Sequence, residues 1–514
     1  MRKILLGLGC LSLLLWAGCK DKGSQEPAAV ATPDPLVESH QRMLTELKKI
    51  AVIDAAENWY YSDKKYKKYE QGVINARNAG DMSATAELQA RLGQAYLDYG
   101  MIEEAIENMT AAYDYFSKQE NLEMTMGEIA FTLGVAHLRR GETENCCANH
   151  TPSSCIIPMQ QEAFHTRREG SETAVKYFLE AITTKETQQR TKYKSTWLMN
   201  LAHMTLGEYP EKVPEGYRVP TFVFESKKPF PRFKNVSGEL GMDSDGMSGG
   251  VAIGDMDGDG DFDIVVSCWD MAVEMRYFEN RGKEGFLERS EEAGFKGMTG
   301  GLNIVPADYD NDGDLDLYVL RGAWLWEMGK RPNSLLQNQG DGTFLDATFL
   351  AGLGNENFPS QTAGWADYDN DGDLDLFVGN EHDDGNLQAA GWAGGGEEVH
   401  APSQLFRNNG DGTFEDVATQ AGVTNLRFAK GCAWGDVNDD RWPDLIVSNM
   451  SAENRLYLNQ KDGTFLDVAR QAGILEPTAS FPAWVWDFDN DGFRDACRHG
   501  AKVSDPFRAL SGER

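Results

Sequence analysis

Two textures divide the chain. Between residues 37 and 218 the apolar positions keep a helical period and proline is almost absent, which predicts helices. After "VPEGYRVPTFVFESKKPFPRFKN" glycine, aspartate, asparagine and β-branched or aromatic residues take over. Short apolar runs bounded by turn residues then predict strands. The expected fold class is multidomain: an all-α segment, then an all-β one. A length of 514 residues allows two or three domains, and 41% hydrophobic residues supply a core for them.

In the helical half, "LGQAYLDYGMIEEAIENMTAAYDYF" places Leu92, Gly93, Tyr96, Gly100, Ala105 and Ala112 where two antiparallel helices need small and groove-filling residues. A second copy starts at Leu133, with Ala174, Phe178 and Ala181 in its second helix, and "TWLMNLAHMTLGEYP" reads as the first helix of a third. The pattern resembles tetratricopeptide repeats, although the first two copies stand 41 residues apart. An insertion at 145–170 gathers Cys146, Cys147, Cys155, His150 and His165. In an oxidising compartment Cys146 or Cys147 would bridge to Cys155; the same residues could instead hold a metal, although their spacing matches no common zinc signature.

The β half carries a repeat. "DMDGDGDFDIVV", "DYDNDGDLDLYV", "DYDNDGDLDLFV", "DVNDDRWPDLIV" and "DFDNDGFRDACR" begin at Asp255, Asp308, Asp367, Asp436 and Asp487. Their spacings of 53, 59, 69 and 51 residues suit one four-stranded propeller blade each. Oxygen-bearing residues recur at positions 1, 3, 5 and 9, and glycine holds position 6 in four copies. Like-charged carboxylates about 4 Å apart repel by roughly 4 kcal/mol at an effective dielectric near 20, so a hard cation is expected between them. Position 12 is Val266, Val319, Val378 or Val447 within an apolar run, where an EF-hand requires glutamate and a helix. These loops therefore lead into strands. Between them recur "NQGDGTF", "NNGDGTF" and "NQKDGTF", which predict hairpins.

These motifs resemble FG-GAP (VCBS-type) calcium-binding propeller repeats, as in the integrin α-subunit head. Joined to a tetratricopeptide-like segment, they are similar to bacterial proteins related to cartilage acidic protein. The resemblance covers about residues 249–495 and implies a partial β-propeller with structural Ca²⁺. It assigns calcium contacts to Asp255, Asp257, Asp259, Asp261 and Asp263 in the first loop. The second loop supplies Asp308, Asp310, Asp312, Asp314 and Asp316, and the third Asp367, Asp369, Asp371, Asp373 and Asp375. In the fourth the set is Asp436, Asn438, Asp440 and Asp444, weakened by Arg441 in place of glycine; in the fifth it is Asp487, Asp489, Asp491 and Asp495. Seven blades are usual in such proteins, whereas five loops occur here, and the tail at 496–514 reads as truncated or out of frame.

Charge agrees with bound cations. The formal net charge is −32, which excludes nucleic acid and anionic membrane surfaces as partners. At the N-terminus Arg2 and Lys3 precede an apolar run too short to span a bilayer, so residues 1–19 predict an export signal. "WAGC" resembles a lipobox, making Cys19 the lipidated residue of an exported, membrane-anchored lipoprotein with a polar tether at 20–36. The helical repeats then fill 37–218 and the loop-bearing repeats 219–495. "GMSGG" around Ser248 matches a nucleophile elbow but leads into a strand rather than a helix. The long insertion with His382, Asp383, Asp384, Trp392, Glu397, Glu398 and His400 is a candidate ligand loop. The expected role is binding of a protein or carbohydrate partner at the cell envelope. A lyase-like enzyme on acidic polysaccharides and a structural envelope scaffold are the alternatives; no catalytic residue is identified.

Overall fold

The computed structural model describes residues 34–502, apart from residues 120–122, 150, 152, 155, 226–227, 229–230, 232, 234–235, 245, 383–400, 488–489, 491–493 and 499–500. Among the described residues seven α-helices come first: α1 (Pro35–Glu57), α2 (Lys64–Asn78), α3 (Met82–Asp98), α4 (Ile102–Phe116), α5 (Glu123–Glu142), α6 (Glu169–Thr183) and α7 (Gln189–Thr205). From α2 to α7 each helix packs on the next. The small residues sit where the sequence requires them. A Cβ on Gly93 would lie 2.5 Å from Met109, and one on Gly134 would lie 2.6 Å from Phe178. Ala105, Ala112, Ala174, Phe178 and Ala181 are all buried in these seams. Among the described residues no helix is long and apolar enough to cross a membrane.

Five antiparallel sheets follow among the described residues. The first holds β1 (Val251–Gly254), β2 (Asp263–Val266), β3 (Arg276–Asn280) and β4 (Phe286–Glu288), and the second β5 (Asn303–Ala307), β6 (Asp316–Leu320), β7 (Ser334–Asn338) and β8 (Phe344–Asp346). The third holds β9 (Ser360–Ala366), β10 (Asp375–Asn380), β11 (Gln404–Asn408) and β12 (Phe414–Asp416), and the fourth β13 (Phe428–Gly435), β14 (Asp444–Met450), β15 (Arg455–Asn459) and β16 (Phe465–Asp467). The fifth has three strands, β17 (Ala483–Trp486), β18 (Asp495–Arg498) and β19 (Ala501–Lys502). Strands pair strictly in sequence order, and adjacent sheets touch through their first strands. This is a partial β-propeller. At its two ends Val251 and Ile253 on β1, and Trp484 and Trp486 on β17, are exposed.

Helix α1 behaves unlike its neighbours. Asp34 caps it by accepting from Leu36 N at 2.9 Å, with Pro35 in the first turn. Its stripe Leu36, His40, Met43 and Leu47 faces the sheets, and Met43 and Leu47 are fully buried among residues of the first two repeats. Ser39 Oγ accepts from Phe349 N, and His40 Nδ1 accepts from Asp346 N at 3.1 Å. Near its end Asp54 forms a buried ion pair with Arg331. The first helix of the helical segment is thus built into the propeller.

Candidate metal centres

Each loop joins the first two strands of a sheet, so four described loops share one rim. Their folding begins with position 9. Asp263, Asp316, Asp375 and Asp444 start the second strands and are buried. One oxygen of each accepts the backbone N–H of position 2: Met256, Tyr309, Tyr368 or Val437, at 2.9–3.2 Å. The other accepts the N–H of the asparagine ending the third strand: Asn280, Asn338, Asn408 or Asn459, at 2.7–2.9 Å. Position 1 closes the turn, as when Asp308 accepts from Asp312 N and Gly313 N, both at 3.1 Å. Position 5 accepts the N–H of position 7 in the four described copies. The alternation of aspartates thus organises the backbone before any ligand is considered.

Three of these loops leave carboxylates facing one another. Ligand oxygens of Asp255, Asp257 and Asp259 lie within 4.8 Å of each other, as do those of Asp308, Asp310 and Asp316, and of Asp367, Asp369 and Asp371. One buried oxygen in each cluster has no hydrogen-bond partner: Asp255 Oδ1, Asp310 Oδ1 and Asp369 Oδ1. Orphaned buried carboxylate oxygens are costly unless a cation meets them. Burial, with neighbouring carboxylates, raises the pKa of Asp257, Asp310 and Asp369. Burial pushes Asp316 up to about 8 and Asp375 to about 7. The donor sets of the first three loops fit a hard divalent cation.

Position 7 does not join these clusters. Asp261, Asp314 and Asp373 turn toward the hairpin of their own repeat. A Cβ on Gly340 or Gly410 would come 2.8 Å from Asp314 or Asp373, and one on Gly282 3.3 Å from Asp261. Asp373 also accepts from Asn311 Nδ2 of the preceding loop at 2.9 Å. The side-chain contacts assigned to Asp261, Asp314 and Asp373 are therefore not part of the carboxylate clusters that form.

The fourth loop differs. Asp436, Asn438, Asp440 and Asp444 are in place, but Lys461 stands at the hairpin position that is glycine elsewhere, with Nζ 3.3 Å from Asp440 Oδ2. Arg441, expected to oppose a cation there, is exposed and contributes only its N–H to Asp436. In the fifth loop Asp487 and Asp495 are placed, whereas Asp489 and Asp491 lie outside the described residues.

The hairpin asparagines do more than turn the chain. Asn338 Nδ2 reaches back to Met256 O (2.8 Å), Asn408 Nδ2 to Tyr309 O (2.9 Å) and Asn459 Nδ2 to Tyr368 O (2.7 Å), each in the preceding repeat's loop. Each also donates to its own loop at Leu315 O, Leu374 O or Pro443 O. In the sequence they read only as turn formers. The available signal was that Asn459 persists although Lys461 replaces the glycine two places later.

Gly249 and Gly250 beside Ser248 press against backbone: Cβ atoms there would lie 1.9 Å from Ser267 O and 2.5 Å from Ile304 N. "GMSGG" is thus a close strand approach. On the rim opposite the loops, Lys430 forms a buried ion pair with Glu381 and lies 3.3 Å from the Trp324 ring centroid and 4.1 Å from that of Phe428. Burial lowers Lys430 to about 8, against the pull of Glu381. His382 rests on Phe428, while Asp383, Asp384, Trp392, Glu397, Glu398 and His400 lie outside the described residues. Cys146 is buried with Sγ 3.2 Å from His165 Nε2, and His165 Nδ1 is 2.9 Å from Ser171 Oγ. Cys147 is exposed; His150 and Cys155, and so both pairings read from the sequence, lie outside the described residues, as does Cys19. Between the third and fourth repeats a cleft of about 520 Å³ is lined by Asp369, Arg407, Gln420, Trp442, Lys461 and Thr464.

Residues 255–319, 383–447 and 436–497 match the profile of the FG-GAP-like repeat. The chain is 25% identical over 234 residues to cartilage acidic protein 1 of Xenopus tropicalis, covering 43% of this chain and 32% of that protein. It is 25% identical over 245 residues to cartilage acidic protein 1 of Homo sapiens, covering 45% and 33%. The chain therefore carries FG-GAP-like repeats and spans about a third of the length of these relatives.

Proposed function

We propose that this chain is a calcium-stabilised propeller that binds a protein or carbohydrate partner at the bacterial cell envelope, tethered through a lipid on Cys19. The observation that carries the calcium reading is the recurrence of an unpartnered, buried carboxylate oxygen in each of three like-built clusters, at Asp255, Asp310 and Asp369. Bound Ca²⁺ would neutralise the converging carboxylates and fix the rim of the propeller.

The partner is assigned to the cleft beside the third loop, between the third and fourth repeats. Trp442 offers a flat apolar surface, and Gln420, Thr464, Arg407 and Lys461 offer polar groups around it. Such a mixture suits a sugar ring or an aromatic peptide side chain. The test is binding of envelope glycans and proteins to wild type and Trp442→Ala, with calcium and with a chelator. Loss of binding in both the chelated and the Trp442→Ala samples is the expected result. Binding indifferent to both would overturn the reading. Release of shortened products from an acidic polysaccharide would instead favour the lyase-like alternative.

A further inference from the structure

We infer that the fourth repeat carries its own cation: the Lys461 ammonium takes over charge neutralisation, and this loop closes without calcium. The inference deepens the calcium reading above and rests on it for the other three loops.

Two departures from the repeat rule occur together. In the first three repeats position 7 is aspartate and the facing hairpin residue is Gly282, Gly340 or Gly410. In the fourth, position 7 is Trp442 and the hairpin residue is Lys461, held at φ 65° although it is not glycine. That conformation is uncommon for a residue with a side chain. It places Nζ 3.3 Å from Asp440 Oδ2 at position 5. The remaining oxygens are also satisfied. Asp436 Oδ1 accepts from Asp440 N (3.0 Å) and its Oδ2 from Arg441 N (2.7 Å). Asn438 Oδ1 accepts from Asp440 N (3.2 Å), and Asp440 Oδ1 accepts from Trp442 N (2.9 Å). Asp444 accepts from Val437 N and Asn459 N.

The fourth loop therefore has no buried orphan oxygen, whereas each of the first three has one. Asparagine at position 3 and tryptophan at position 7 each remove a negative charge, Asp439 at position 4 returns one, and Lys461 and Arg441 add two positive ones. A divalent cation would have to displace an ammonium to reach carboxylates that are already bonded. The donor set does not fit it.

The experiment counts calcium bound to the exported chain by equilibrium dialysis and elemental analysis, for wild type, Asp310→Asn and Asp440→Asn. Loss of one calcium in Asp310→Asn and none in Asp440→Asn is expected. Loss of one in Asp440→Asn would overturn the inference. Should Asp440→Asn fail to fold, Lys461→Met decides, because it keeps the stem and the backbone conformation. In chelator its melting temperature should fall by about 2–4 °C, the effect of about 1 kcal/mol from one partly exposed ion pair. An unchanged melt in chelator would sink the inference. A wild-type chain that binds no calcium would refute the functional reading instead, and the Lys461→Met melt would still judge the lysine.

Discussion

Removing Asp54 tests whether α1 is a structural part of the propeller. Its carboxylate is 1% exposed and meets Arg331, 4% exposed, across 277 residues of sequence. Arg331 otherwise donates from Nε to Met328 O at 2.9 Å, and Asp54 also accepts from Asn58 Nδ2 at 3.2 Å. Asp54→Ala leaves a buried guanidinium without a counter-charge, which typically costs about 3–5 kcal/mol. For a unit of this size that is a fall of roughly 6–20 °C in melting temperature. Arg331→Met should cost a similar amount. The double variant should recover most of the loss, since an apolar pair in place of a buried ion pair is often near neutral. Melting curves at fixed calcium, with protease protection of α1, give the cycle. Additive losses, within about 0.5 kcal/mol, would refute the coupling.

Three further outcomes are expected. Chelation should lower the melting temperature, because each independent site at 100 times its dissociation constant adds about 2.7 kcal/mol; a calcium-indifferent melt would remove the structural ion. Asn408→Ala and Asn408→Asp should both destabilise by about 2–4 kcal/mol, since each strips the donors from Tyr309 O and Leu374 O; a neutral Asn408→Asp would reduce the residue to a turn former. Burial lowers the pKa of His40 below 6.5, so its stabilising contribution is complete above that pH and is lost as acidification protonates the unfolded chain first. Asp346 acts in the opposite sense, being raised to about 6 by burial. The stability of wild type minus that of His40→Asn, followed by melting from pH 7.5 to 5, isolates the imidazole; it should fall below pH 6.5, and a flat difference would contradict the assignment.

The propeller was legible because its signal is periodic. Each repeat states its own turn, strand and glycine, and errors in one copy are corrected by the others. Position 9 was read as a metal ligand, yet Asp263 and its counterparts also bond two backbone N–H groups, a role that sequence spacing does not encode. The long-range pairs were illegible for a different reason. His40 and Asp54 sit on an ordinary amphipathic stripe, and nothing local distinguishes a stripe that meets helices from one that meets sheets. Lys461 was hidden in a turn motif, because its meaning depends on Asp440, twenty-one residues earlier.

The asparagine latches give the propeller an arrow of assembly. Met256, Tyr309 and Tyr368 must wait 82, 99 and 91 residues for the amides that seal them, always on a later repeat. Ser39 and His40 wait longer still, 310 and 306 residues, for Phe349 and Asp346. A chain emerging from the N-terminus thus presents its first helix with an open apolar flank until the second repeat arrives. An emerging chain would need that flank shielded over the interval, and a carrier that holds amphipathic helices would suit its birth better than its finished form.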